Sequence, residues 1–180
     1  MVNRYVCAAA ILLATTAGAV ALARSDGPQA KTQDLPAQIM TRMRTTLEQS
    51  SPAQHQHHTG QTAGAKAQPP VVCGVRVYGY EPAGVTAIAD VRTVYGFHLC
   101  GVAERDYPWD VAVKLAGPVI LDLTTDPPGI RVVEATDDVP FAERLRQMFP
   151  AEYARLAQTE ALTDAEMAGL RRRYDAAAGL

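Results

Sequence analysis

Cys73, His98 and Cys100 carry the most reactive side chains of the segment 71–180. A thiolate beside an imidazole can act as a nucleophile with its general base. The same two sulfurs can instead form a disulfide, which is the usual state of paired cysteines in an exported domain. We predict a Cys73–Cys100 disulfide, and a free thiol next to His98 is the alternative.

Two segments with alternating strand-forming residues contain these cysteines. Residues 71–80 and 93–102 are rich in Val, Tyr, Phe and Thr, which favour strands. A disulfide needs Cα atoms ~5.5 Å apart, so the two strands must pair with Cys73 opposite Cys100. A tight hairpin is excluded, because it would place Cys73 opposite Arg92.

This register predicts the other cross-strand pairs of the two strands. They are Gly74 with Leu99, Arg76 with Phe97, Val77 with Gly96, Tyr78 with Tyr95, and Tyr80 with Thr93. The connection between the strands is then long, with a short helical turn through residues 88–91. The competing interpretations of residues 85–102 are one long strand or a helix.

Acidic side chains are the remaining candidates for catalysis. Residues 71–180 contain no Ser and no Asn, and their only His and Lys are His98 and Lys114. A Ser-His-Asp hydrolase is therefore excluded within this segment. Paired acid/base chemistry would have to use carboxylates. The candidates are Asp106, Asp110, Asp122 and Glu134. Nothing distinguishes them from solvent-facing residues, so we predict no catalytic residue.

Three clustered histidines, His55, His57 and His58, are the only candidate metal ligands. Imidazole suits Zn, Cu and Ni. A structural zinc site, however, uses four ligands on a rigid frame, and neither a Cys nor a second His cluster complements these three. Gly-rich phosphate loops are also missing from the sequence. We therefore predict no metal site and no cofactor.

Tyr107 and Trp109 are the candidate interaction residues. Trp109 is the only Trp of the chain and follows Tyr107 and Pro108 in a polar turn region. A loop Trp commonly covers the core, whereas an exposed Trp beside a Tyr would form a contact patch. Under the second interpretation, this loop could plug the cleft of a secreted peptidase.

The N-terminal residues 1–23 are typical of a signal peptide. Arg4 precedes a run that has no charged residue over its 19 positions 5–23 and ends in Ala-Leu-Ala, a cleavage pattern. Cleavage would remove Cys7 and leave two cysteines. The alternative is an uncleaved anchor, since such a run can cross a bilayer core of ~30 Å. Both interpretations predict a secreted or extracytoplasmic domain.

The sequence of residues 24–49 predicts a polar segment followed by an amphipathic helix. Asp34 can cap this helix, and Pro36 sits in its first turn. One helical face carries Leu35, Ile39, Met43 and Leu47. This stripe predicts docking on the domain that follows, and a partner-binding helix is the alternative. Residues 50–70 have almost no apolar bulk, which predicts a disordered linker.

The rest of the chain predicts two more strands and then helices. Strand patterns appear weakly in 111–115 and more strongly in 118–124, and a turn at 125–129 leads to a strand over 130–134. The pattern then changes to a helical period. The expected inward residues are Phe141, Leu145, Met148 and Phe149, then Tyr153 and Leu156, then Met167, Leu170 and Tyr174.

The last predicted helix has a capping box at Thr163 and Glu166 and ends at Gly179. Arg171-Arg172-Arg173 lies in its late turns, where positive charge suits the helix dipole. We interpret this triplet as a capping and solvating feature. An anionic surface or polymer as a partner is the alternative.

Strands followed by helices predict an α+β domain over residues 71–180. It has a small antiparallel sheet of about four strands, C-terminal helices on one face and one disulfide. The net charge of −2 predicts no nucleic-acid partner, and contact with a membrane only through an uncleaved N-terminus.

The leading functional prediction is a non-catalytic exported interaction or structural module for an unknown protein or cell-envelope ligand. The signal, the linker and the missing nucleophile–base pairs favour this class. One alternative is a small secreted enzyme that uses carboxylates or a free cysteine. The other is an inhibitor of secreted peptidases.

Overall fold

A computed structural model describes residues 34–50 and 68–180. Its helices and strands, in chain order, are α1 (Leu35–Gln49), β1 (Val71–Glu81), β2 (Thr93–Val102), β3 (Lys114–Asp122), β4 (Gly129–Val132), α2 (Phe141–Met148), α3 (Ala151–Thr159) and α4 (Asp164–Ala178). The predicted signal, the polar segment, the histidine cluster and most of the predicted linker lie outside these residues.

The four strands form one antiparallel sheet in the order β1-β2-β3-β4. Helix α1 covers one face of this sheet, and α2, α3 and α4 cover the other. The predicted α+β class is confirmed, as is the placement of the C-terminal helices on one face. In residues 34–50 and 68–180, no helix is long and apolar enough to cross a membrane.

Helix α1 forms where its caps and its apolar stripe predict it. The Asp34 side chain accepts a hydrogen bond of 3.1 Å from the backbone N–H of Ala37. Ile39, Met43 and Leu47 are fully buried against the sheet. Burial of such a side chain stabilises a fold by about 1.5–3 kcal/mol. The prediction that this helix docks on the following domain is therefore confirmed.

The central strand pair follows the predicted register over most of its length. Cys73 lies opposite Cys100, and a short helical turn at Ile88–Asp90 interrupts the connection between the strands. The alternatives of a single long strand or a helix through this region are wrong. So are the predicted partners of Tyr78 and Tyr80, because a bulge between Val77 and Gly79 shifts the register by one residue.

The bulge has a physical cause on the face of the sheet that the C-terminal helices cover. The Tyr78 hydroxyl donates a hydrogen bond of 2.5 Å to the backbone oxygen of Glu160, just beyond α3. Gly79 lies so close to the Tyr153 ring that a Cβ there would overlap it. Tyr78 is the extra residue of β1, and the bulge lets the strand accommodate α3. Beyond the bulge, Gly79 pairs with Tyr95 and Tyr80 with Val94.

The later strands are shorter than predicted or displaced. Val111 lies in a short helical turn, so β3 starts at Lys114. It ends at Asp122 because the carboxylate of this residue accepts hydrogen bonds from the backbone and side chain of Thr124, which forms a turn. Strand β4 stops at Val132.

Aromatic contacts hold the C-terminal helices on the sheet. The Tyr95 ring lies 5.4 Å from that of Phe149 and 5.2 Å from that of Tyr153. Trp109 meets Tyr174 of α4 edge-to-face at 5.1 Å. The capping box of α4 and its left-handed end at Gly179 form as predicted.

Candidate functional site

The predicted disulfide joins Cys73 and Cys100, whose Cα atoms lie 4.0 Å apart. Pairs of an antiparallel ladder that exchange no hydrogen bonds are the closer ones, with Cα atoms about 4.5 Å apart, and Cys73 and Cys100 are closer still. His98 is nearby and buried, with its Nδ1 2.9 Å from the backbone oxygen of Gly117. Both sulfurs are bonded to each other, so no thiol is available to His98.

The four candidate carboxylates have different surroundings. Strand β4 pairs Gly129 with Asp122, so Glu134 lies beyond the far end of that strand. The hydrogen bonds from Thr124 lower the pKa of Asp122 below its ordinary value, so this group is ionised at neutral pH. Asp110 lies 3.6 Å from Arg171. Asp106 lies 3.8 Å from Arg105, and the observed hydrogen bonds of the described residues join no two of these four carboxylates.

Trp109 and Tyr107 have different environments. Trp109 is 6% exposed and packs in the core with α4, and the Lys114 ammonium lies 5.2 Å from the centre of its ring. Tyr107 is 52% exposed. The two do not form an exposed aromatic pair, because the indole faces inward.

A groove of about 490 Å³ lies between α1 and α4, beside the outer edge of β1. Strand β1 is an edge strand of the sheet, since in residues 34–50 and 68–180 it pairs with β2 alone. The residues that line this groove, here named the β1 groove, are Met40, Arg44, Gly74, Val75, Glu166, Gly169, Leu170, Arg172 and Arg173. Arg172 and Arg173 belong to the arginine triplet for which the sequence left an anionic partner as the alternative, and the other lining residues were not predicted as site residues.

Helical spacing brings these side chains to the groove. On α1, Met40, Arg44 and Glu48 follow one another every four residues and share one face. On α4, Leu170 and Arg173 are three residues apart and face β1 together. Two features of the sequence could have indicated the groove. One is this second stripe of α1, which lies next to the apolar stripe, and the other is the arginine triplet on α4.

One end of the groove is closed by a clamp formed by Glu48, Arg173 and the backbone of Cys73. The Glu48 carboxylate accepts hydrogen bonds from the Cys73 N–H at 2.9 Å and from the Arg173 guanidinium at 2.8 Å. Arg173 also donates to the backbone oxygen of Cys73. The clamp ties α1, β1 and α4 together.

The groove carries an excess of positive charge. Arg44 and Arg172 have no carboxylate within salt-bridge distance in the described residues. Arg44 Nε is also buried and has no hydrogen-bond partner there. Glu166 carries a single negative charge and so cannot balance both arginines, and its Oε2 accepts two hydrogen bonds from Thr163.

The two arginines without a carboxylate partner indicate what the groove can hold. An anion in the groove can pair with the guanidinium groups of Arg44 and Arg172. Val75 and Leu170 are buried core residues that line the groove, and Gly74 lets Leu162 and Leu170 pack closely on β1, where a Cβ would overlap Leu162. The arrangement suits a ligand with a negative group and an aliphatic part.

Comparison of the chain with protein-family models, with curated proteins and with solved structures gives no match. The function of the chain is therefore inferred from its own residues.

Proposed function

We propose that the chain is an exported, non-catalytic binding module that holds an anionic ligand in the β1 groove. The observation that carries this proposal is that two arginines, Arg44 and Arg172, line one groove and have no carboxylate partner in the described residues. Guanidinium groups recognise carboxylate and phosphate oxygens through charge-assisted hydrogen bonds.

Export is supported by two independent features. Residues 1–23 have the composition of a signal peptide. The Cys73–Cys100 bridge is the kind of bond that persists in oxidising compartments outside the cytoplasm.

A binding role is favoured over catalysis by the side chains that line the groove. They include neither His, Cys, Ser nor Thr, and their one carboxylate, Glu166, is engaged in the helix cap. Such a set can hold a charge and an apolar group. It offers no nucleophile with an adjacent base.

Nuclear magnetic resonance of the arginine side chains tests the binding proposal. Citrate, inorganic phosphate and sulfate are titrated separately into the mature protein, and the Nε–H signals of the arginines are followed. We expect at least one of these anions to shift the Arg44 and Arg172 signals. Arg42, an exposed residue of the same helix α1, is the internal control and should not respond.

Two results would overturn the proposal. One is an Arg44 signal that none of these anions moves. The other is a hydrolytic or transfer activity of the purified mature protein that is lost on the substitution Asp122→Asn or Glu134→Gln. Export is tested separately by the intact mass of the native protein, which should begin at Arg24 and show no alkylated cysteine.

A further inference from the structure

The outer edge of β1 offers main-chain hydrogen-bonding groups next to the arginines. At Cys73 the N–H and C=O point away from β2, because they contact Glu48 and Arg173 instead. Backbone groups of a strand point the same way at every second residue. The next outward-pointing pair therefore belongs to Val75, which lines the β1 groove.

We propose, on the basis of the function inferred above, that the ligand is an acidic polypeptide segment in extended conformation. It lies along the outer edge of β1 as an added strand. One of its carboxylates binds Arg44 and Arg172, and its aliphatic side chains contact Met40 and Leu170. Strand addition of this kind gives affinity through main-chain hydrogen bonds and specificity through alternate side chains.

The protein already binds one carboxylate in this manner. Glu48 accepts a hydrogen bond from a β1 backbone N–H and pairs with a guanidinium of α4. A ligand carboxylate beside Arg44 and Arg172 would meet the same kinds of group further along the same edge. The clamp therefore serves as an internal example of the proposed recognition.

Other occupants fit the groove less well. Sugars usually stack on aromatic rings, and the lining contains none. Of the chain's own residues outside the described ranges, 51–67 contain neither Asp nor Glu and 1–33 contain one acidic residue, Asp26. Charge complementarity therefore favours a segment of another polypeptide.

The test compares two labelled peptides. One is acetyl-Gly-Val-Glu-Val-Asp-Val-Gly-amide, and the other has Gln and Asn in place of the two acidic residues. Fluorescence anisotropy with the mature protein should show that the acidic peptide binds at least about tenfold more tightly, the change expected from one charge-assisted interaction. Equal binding of the two peptides would overturn the proposal.

Matched variants locate the site. Arg44→Gln and Arg172→Gln should each weaken binding of the acidic peptide about tenfold or more. Arg42→Gln and Arg171→Gln remove the same charge from the same helices, at exposed positions outside the groove lining, and should change binding less than about twofold. Arg44→Lys, which keeps the charge, should recover part of the affinity. Thermal unfolding of each variant separates lost binding from lost folding.

Backbone methylation of the peptide tests strand addition directly. In an added strand only alternate N–H groups of the ligand face the edge of the sheet. N-methylation at one set of alternate positions should abolish binding, whereas methylation at the other set should leave it nearly unchanged. Equal effects at all positions would mean that the peptide does not pair with β1.

The outcomes separate this inference from the proposed function. If citrate or phosphate moves the Arg44 signal but the acidic peptide binds no more tightly than the neutral one, the groove binds anions and the peptide proposal fails. If an anionic polysaccharide such as polygalacturonate binds more tightly than the acidic peptide, the peptide proposal is also overturned. The proposed anion-binding function is then retained. If no anion and no peptide affects Arg44, both proposals fail.

Discussion

The Glu48 carboxylate and the Arg173 guanidinium meet at 2.8 Å across the outer edge of β1, and each also binds the backbone of Cys73. They are 125 residues apart in sequence. This pair therefore joins the first described helix to the last one, at the strand that carries the disulfide.

Loss of the Glu48 carboxylate should destabilise the domain. Glu48→Ala leaves both the Cys73 N–H and Arg173 without their acceptor, and we expect a loss of about 1–3 kcal/mol in the free energy of unfolding. Urea denaturation measures this loss. Gln49→Ala, at the exposed neighbouring position, is the control and should change stability by less than about 0.5 kcal/mol. An unchanged urea midpoint for Glu48→Ala would show that the clamp contributes nothing to stability.

Removal of the disulfide should cost more. The bridge closes a loop with a sequence separation of 27 residues. For a loop of this length, the constraint on the unfolded chain stabilises the fold by about 3 kcal/mol. The double substitution Cys73→Ala and Cys100→Ala should lower the unfolding free energy by this order. A stability equal to that of the parent protein would contradict the expectation.

Because burial raises the pKa of its tyrosines, the domain should lose stability at alkaline pH. Burial, reinforced by the nearby Glu160 carboxylate, raises the pKa of Tyr78 to about 12. An unfolded tyrosine titrates near pH ~10. Because the folded pKa is the higher one, this contribution to stability is complete below pH ~10 and is lost as the pH rises through about 12.

Tyr78→Phe should therefore flatten this decline. Burial also raises the pKa of Tyr95, Tyr153 and Tyr174, so part of the dependence remains in the variant. At neutral pH the variant should already be less stable by about 1 kcal/mol, since the hydrogen bond to Glu160 is lost. Urea midpoints measured between pH 8 and roughly pH 11.5 compare the two proteins. Parallel curves would rule out Tyr78 as a contributor.

Trp109 and Tyr107 should respond differently to truncation. Trp109→Ala removes a buried ring from the core and should cost about 3–5 kcal/mol. Tyr107→Ala removes a half-exposed ring and should change stability by less than about 1 kcal/mol. Thermal or urea unfolding gives both values. A large loss for Tyr107→Ala would show that the burial of its ring matters more than its exposure indicates.

Local patterns predicted most of the fold. Asp34, Pro36 and the apolar stripe fix α1, because capping and helical period depend on neighbouring residues alone. The disulfide register was predictable because only one antiparallel alignment places Cys73 opposite Cys100. The C-terminal helices were predicted for the same local reasons.

Features that depend on contacts between distant elements were not predictable. The bulge in β1 exists because Tyr78 and Gly79 must accommodate α3, which comes much later in the chain. The β1 groove requires Arg44 of α1 and Arg172 of α4 to meet beside one strand. Local patterns predicted that each arginine lies on a helix. They could not predict that the two helices lie side by side at β1.

The clamp also limits how copies of this protein can associate with one another. Exposed strand edges allow identical chains to join their sheets and grow into filaments. At Cys73 the outward backbone groups are already occupied by Glu48 and Arg173, so a second β1 strand would first have to displace an internal ion pair. The same contact that holds the helices on the sheet therefore confines strand addition on this edge to the part of β1 that follows Cys73.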